Sequence, residues 1–101
     1  MKALKINPET QSIDELDVAG YDDIVSLIGY DTVISDEIGP NGDRLFFDEE
    51  CFLRGASGRF QIDAVIPVSG VGIIVGSHDD GATLCDVTSD IDSINERLKY
   101  L

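Results

Sequence analysis

The stretch FQIDAVIPVSGVGIIVGSHDDGATLCDV, residues 60–87, decides how this chain folds. It contains the most hydrophobic run, the glycines Gly70, Gly72 and Gly76, and the sole histidine, His78. Its centre, VGIIVG (71–76), is apolar at consecutive positions, whereas a strand with one wet face alternates. Apolar side chains on both faces place this strand inside a sheet. HDDG then provides turn residues, with Asp80-Gly81 expected in a primed turn. ATLCDV (82–87) is expected to return as the second arm. FQIDAVI (60–66) reads as a further strand before Pro67, which cannot donate to a ladder and marks an edge or an end. The glycines do not make a dinucleotide fingerprint: they run G-x-G-x-x-x-G, the apolar residues fall inside them, and no helix is expected to follow. They are read as structural, marking a bulge or the close packing of another element.

Outward from this hairpin, KALKI (2–6) alternates apolar and charged residues, NPET turns, and SIDELDV (12–18) forms a second arm. YDDIVSLI (21–28) places Tyr21, Ile24, Val25 and Ile28 on one helical face. Asp22 and Asp23 lie in its first turn, where the helix dipole favours acids, and Gly29 suits its end. DTVISDEI (31–38) is β-branched, GPNGD turns, and RLFFD (44–48) returns. EECFLRGASGRF (49–60) fits either a short helical turn or a strand followed by a glycine loop. The chain closes on TSDIDSINERLKYL, where Ser89 is expected as N-cap with Asp92 three residues on. Ile91, Ile94 and Leu98 share a face there, and Arg97 and Lys99 fall in the expected last turn. The fold class is therefore α+β: a mainly antiparallel sheet of five to seven short strands with two helices, one C-terminal.

The 101 residues suffice for one domain, 1–101, with one hydrophobic core. No apolar run reaches the roughly 18 residues that span a membrane. MKALKINPETQ has too short an apolar stretch for a signal peptide, so a cytoplasmic protein is expected. Cys51 and Cys85 lie far apart with no zinc-type spacing, and buried free thiols are expected.

Charge is the outstanding global feature. Twenty acidic residues face seven basic ones, a net charge of −13. That sign excludes direct binding to nucleic acid or to an anionic membrane, which needs Lys and Arg against phosphate. No Lys or Arg occurs between Ile6 and Asp43, nor between Phe60 and Glu96, while Arg44, Arg54 and Arg59 fall between these segments. The acids alternate with Ile, Val and Leu, as on a folded surface.

Site chemistry is sparse. His78 with Asp79 and Asp80 offers metal-type ligands, but the same residues suit a hairpin tip, and no metal or other cofactor is expected. No second histidine is present for a catalytic dyad, and no catalytic residues are assigned. Arg54-Gly-Ala-Ser-Gly-Arg59 flanks a small loop with two guanidiniums, the best arrangement for an anion, although these arginines can equally pair with the abundant acids.

The pattern of MKAL-x-I-x-P-E, a short helix ending in glycine, an acidic hairpin, G-x-G-x-I-I-V-G, a DDG turn and T-S-D-x-x-I resembles a family of small acidic domains of unknown function encoded by phages, plasmids and conjugative elements. Members carry a Pro-Pro-Asn-Arg-like loop where this chain has residues 54–59. The resemblance implies a mobile-element accessory protein and supplies no catalytic residues.

Together these readings give a non-enzymatic, acidic protein-binding module. Its expected partner is a basic host protein of the nucleic-acid-binding kind, met by Asp14, Asp17, Asp22, Asp23, Asp36 and Glu37. In its specific form it is an anti-defence inhibitor that mimics nucleic-acid charge. The alternative is a small-molecule or nucleotide-binding domain using Arg54 and Arg59. The six acids are expected to form one continuous surface if their elements are neighbours.

Overall fold

The structure is a computed structural model that describes residues 1–101, apart from the side chain of Asp80. Among the described residues the chain forms nine strands and two helices, all strand pairs being antiparallel. The first hairpin is β1 (Lys2–Asn7) and β2 (Ser12–Asp17); α1 (Tyr21–Ile28) follows. The second hairpin is β3 (Val33–Glu37) and β4 (Arg44–Asp48). Then come a 3-10 turn at Cys51–Leu53, β5 (Arg59–Ile62), β6 (Val68–Ser69) and the long β7 (Gly72–His78). β8 (Thr83–Cys85), α2 (Ile91–Arg97) and β9 (Leu98–Tyr100) complete the chain. The class is α+β, as the periodicities indicate.

β7 occupies the centre of the main sheet. The order is β2-β1-β7-β4-β3, with β8 pairing the far end of β7. Its two faces bury separate clusters. Ile74 joins Leu4, Ile6, Leu45 and Phe47 on one face, packed on the small sheet β6-β5-β9 through Phe60, Ile62 and Val68, and on Ile94 of α2. Ile73 and Val75 join Ala3, Phe46 and Ile24 of α1 on the other. The main sheet is thus a middle layer, which is why its central strand cannot alternate. No helix is long and apolar enough to cross a membrane.

Two glycines of β7 sit where other groups must pass. A Cβ on Gly72 would meet Phe60 Cζ at 2.7 Å and Leu45 Cδ1 at 2.9 Å. A Cβ on Gly76 would collide with the Asp86 carbonyl oxygen. These are the close approaches that glycine in a strand permits.

Several expectations need correction. Ser89 is not the N-cap of α2: Asp90 is, its carboxylate accepting from Ser93 N at 2.7 Å. The amide and hydroxyl of Ser89 are already bound to Asp43, at 3.1 and 2.7 Å. The helix stops at Arg97, and Leu98–Tyr100 pairs with β5 instead, so Lys99 lies on a strand and not in a helical last turn. The pairing sets Tyr100 opposite Phe60 and Leu98 opposite Ile62, with Leu98 and Tyr100 both packed against the core. β5 ends at Ile62, because Asp63 takes φ 49 and starts a turn that exposes Ile66. The connection from β7 to β8 is a 3-10 turn over Asp79–Gly81, with Asp79 at φ 55 and Gly81 at φ 93, and not a two-residue primed turn.

Candidate functional site

The acids proposed for a partner surface can be placed by register. Along β1 and β2, Asp17 faces Lys2 and Asp14 faces Lys5. Side chains alternate, so Asp14 points to the α1 side with Leu16, and Asp17 points to the opposite side. Asp36 pairs with Leu45 and Glu37 with Arg44 on β3, at the other edge of the sheet. Four strand spacings of about 4.8 Å separate β2 from β3, about 19 Å in all. The six acids therefore do not form one continuous face: β2 and β3 are not neighbours, and alternation divides Asp14 from Asp17 and Asp36 from Glu37.

They share something else, an end of the sheet. Following the pairings across, Glu15, Leu4, Ile74, Leu45 and Asp36 lie in one row; one position further out, Leu16 pairs with Ala3, and Val75 with Arg44, which pairs with Glu37. Asp17 is one position beyond Leu16. α1 begins at this end: Val18 N bonds to Met1 O at 2.9 Å, and Asp23 Oδ2 accepts from Ala19 N at 2.6 Å. Asp86 is there too, its carboxylate accepting from Lys2 N at 2.7 Å, and Asp79 follows β7 at the same end. Asp17, Asp22, Asp23, Glu37, Asp79 and Asp86 are exposed, and Asp36 is half-buried. The cations at this end are Lys2 opposite Asp17, the N-terminal ammonium, which donates to Val18 O at 2.7 Å, Arg44, whose Nη1 is 4.0 Å from Glu37, and Arg97, whose guanidinium approaches Gly39 while paired with Asp63. Asp14, in a middle row opposite Lys5, belongs less to this rim.

The opposite end holds a cleft of about 210 Å³. Asn7 at the end of β1, Glu9 of the first turn, Ile28 at the end of α1, Tyr30 after it, and Asp48, Cys51 and Arg54 surround it, with Ser69 to Val71 also in the lining. The 54–59 loop closes on the first turn so tightly that a Cβ on Gly58 would strike the Pro8 and Glu9 backbone. Arg54 dominates this site. Its Nε donates to Asp48 Oδ2 at 2.9 Å, and its Nη2 reaches Thr32 Oγ1 at 3.2 Å and Glu50 Oε2 at 3.3 Å. Its guanidinium carbon lies 4.1 Å from the centre of the Tyr30 ring. Burial pushes the Asp48 carboxyl up, but hydrogen bonds from Arg54, Thr32 and Glu50 N outweigh it and hold it below the usual carboxylate range. The bond to Asp48 likewise raises Arg54.

Arg59 does not join Arg54. It lies over the Phe52 ring at 5.2 Å, outside the residues that line the cleft. The two arginines of the loop therefore do not converge on one anion. Sequence reasoning picked out Arg54 from its loop, but Tyr30, Asn7 and Glu9 carried no signal, because folding alone brings residues 7–9 against residues 54–58.

His78 ends β7 as an exposed residue. Among the described residues no group of three His, Cys, Asp or Glu could hold a metal; the Asp80 side chain, part of that candidate set, lies outside the described residues. Cys51 is buried with its Sγ accepting from Ser69 N at 3.4 Å, while Cys85 is only half-buried, and both are free thiols. Gly81 at φ 93 has Arg44 Cδ 3.2 Å from where a Cβ would be. Gly81→Val is therefore expected to cost about 1 kcal/mol or more, and His78→Ala no more than about 0.5 kcal/mol. Thermal melts check both; a large loss from His78→Ala would reveal a bound group at that histidine.

No family model, no curated protein and no solved structure matches this chain.

Proposed function

We propose that the chain is a non-enzymatic acidic binding module whose partner is a basic protein, contacted at the acidic end of the main sheet. The observation that carries the reading is the gathering of Asp17, Asp22, Asp23, Asp36 and Glu37, with Asp79 and Asp86, around one end of a rigid sheet. Carboxylates fixed on strands and a helix start present charge without the entropy cost of ordering a flexible tail. Across a breadth of about 19 Å at strand spacing, such a rim suits the basic groove of a nucleic-acid-binding protein better than a single basic side chain. The specific form is mimicry of phosphate charge by an accessory protein of a mobile element, acting on a cytoplasmic host defence protein. That form draws on the resemblance as well as on the charge.

Electrostatic complementarity of this kind acts mainly on the association rate and fades with salt. Host proteins captured by the native chain at low salt should therefore be released near physiological ionic strength. A variant carrying Asp17→Asn, Asp22→Asn, Asp23→Asn, Asp36→Asn and Glu37→Gln should keep its circular dichroism spectrum and lose that capture. Retention of the same partner by the folded variant, with unchanged affinity at low salt, would remove the acidic end from the account.

A further inference from the structure

Independently of the acidic end, we infer that the Arg54 cleft binds a small monocarboxylate with a compact apolar body. Three observations define the ligand. The first is the free edge of Arg54. Nε is committed to Asp48 and Nη2 to Thr32 and Glu50, while Nη1 has no hydrogen-bond partner among the described residues. The outer edge of a guanidinium, Nη1 with Nη2, matches the two oxygens of a carboxylate. Asn7 adds a donor: its Oδ1 is engaged by Glu9 N at 3.1 Å, which turns the amide and leaves Nδ2 without a partner among the described residues.

The second observation is how Glu50 is held. It reaches Arg54 as an exposed i,i+4 pair at 3.3 Å, with its side chain 49% exposed, whereas the Asp48 side chain is 5% exposed. The exposed partner is the replaceable one, since surface pairs of this kind contribute little. A ligand carboxylate takes the place of Glu50 on Nη2 while Asp48 keeps Nε. Among the described lining residues Arg54 is the one cation, set against Asp48 and Glu9 with Glu50 alongside, so only a carboxylate that displaces Glu50 from Arg54 is offset, and a second negative charge on the ligand finds no further cation. This selects a monoanion over a phosphate dianion.

The third observation is the wall. Ile28, Val71, Ala56 and Cys51 supply apolar surface, and about 210 Å³ accommodates few groups. This lies below the roughly 300–1,000 Å³ of pockets that hold drug-sized ligands, which suits a small aromatic or branched aliphatic acid and falls short of a nucleotide.

Benzoate and isovalerate are the probes, with benzamide as the uncharged match for benzoate and inorganic phosphate and AMP as the other anions. Binding is read by amide chemical shifts of the full chain. Benzoate or isovalerate should move Asn7, Tyr30, Arg54 and Ser69 at low millimolar concentration, at least tenfold more tightly than benzamide. Glu50→Gln should tighten the binding several-fold by removing the competing carboxylate. Arg54→Gln should weaken it at least tenfold. Because Arg54→Gln also strips a partner from the buried Asp48, Glu50→Gln is the variant that keeps the test decisive. Absence of shifts at the cleft with both acids, equal binding of benzoate and benzamide, or weaker binding in Glu50→Gln would overturn the inference. Tighter binding of phosphate or AMP than of either acid would overturn its choice of ligand class.

Discussion

Asp43→Ala is expected to destabilise the protein by about 3 kcal/mol, since a charge-assisted hydrogen bond contributes about 1.5–3 kcal/mol and several are lost together without adding fully. Asp43 is 1% exposed. Its carboxylate accepts from Thr88 N and Thr88 Oγ1, both at 2.8 Å, and from Ser89 N and Ser89 Oγ at 3.1 and 2.7 Å. These bonds tie the turn between β3 and β4 to the segment that starts α2. Without them the two backbone donors lose their partner, and α2 loses the anchor that sets Ile94 into the core and β9 onto β5. Asp43→Asn keeps the shape and one acceptor oxygen and should fall between native and Ala. Urea denaturation with a two-state fit checks the series. A loss below about 1 kcal/mol for Asp43→Ala, the ordinary value of one neutral hydrogen bond, would show that water replaces the network.

Gly76→Ala is the second large effect. The added Cβ would collide with the Asp86 carbonyl oxygen, with Cys85 Sγ 2.9 Å away. That carbonyl cannot retreat cheaply: Val87 N is bonded to Lys2 O at 2.9 Å, and Asp86 Oδ1 to Lys2 N at 2.7 Å. The expected cost is about 3 kcal/mol, at the upper end for overpacking because the obstacle is backbone. Gly20→Ala is the control, since a Cβ there has nothing within 4 Å. Its φ of 170 is extended backbone open to any residue. Equal thermal melts for the two variants would contradict the close approach of β8 to β7.

Local pattern exposed much of this fold. Both early hairpins, the bounds of α1 and its Gly29 cap, and the two-faced centre of β7 all follow from periods of two or 3.6 and from turn residues. What it concealed is long-range. LKY continues the helical spacing of Ile91 and Ile94, and only the presence of Phe60 and Ile62 alongside turns it into a strand. NGD reads as a turn, and nothing near it shows that its aspartate holds residues 45 positions away. The order of strands decides whether acids on successive hairpins meet. Here β7 enters between β1 and β4, placing β2 and β3 at opposite edges. Arg54 was visible as half of an arginine pair, yet its partners Tyr30, Thr32 and Asp48 come from other elements, and Arg59 turns toward Phe52.

The acidic end is tested most directly by titrating the labelled protein with a ten-residue polylysine peptide at low salt and following every backbone amide. The account predicts that shifts concentrate at Asp17, Asp22, Asp23, Asp36, Glu37, Asp79 and Asp86 and collapse together as salt approaches physiological strength. Shifts of equal size at Glu9, Asp31, Glu49 and Asp92, spread over the whole surface, would mean that the charge of −13 is diffuse and that no end of the sheet is a binding surface.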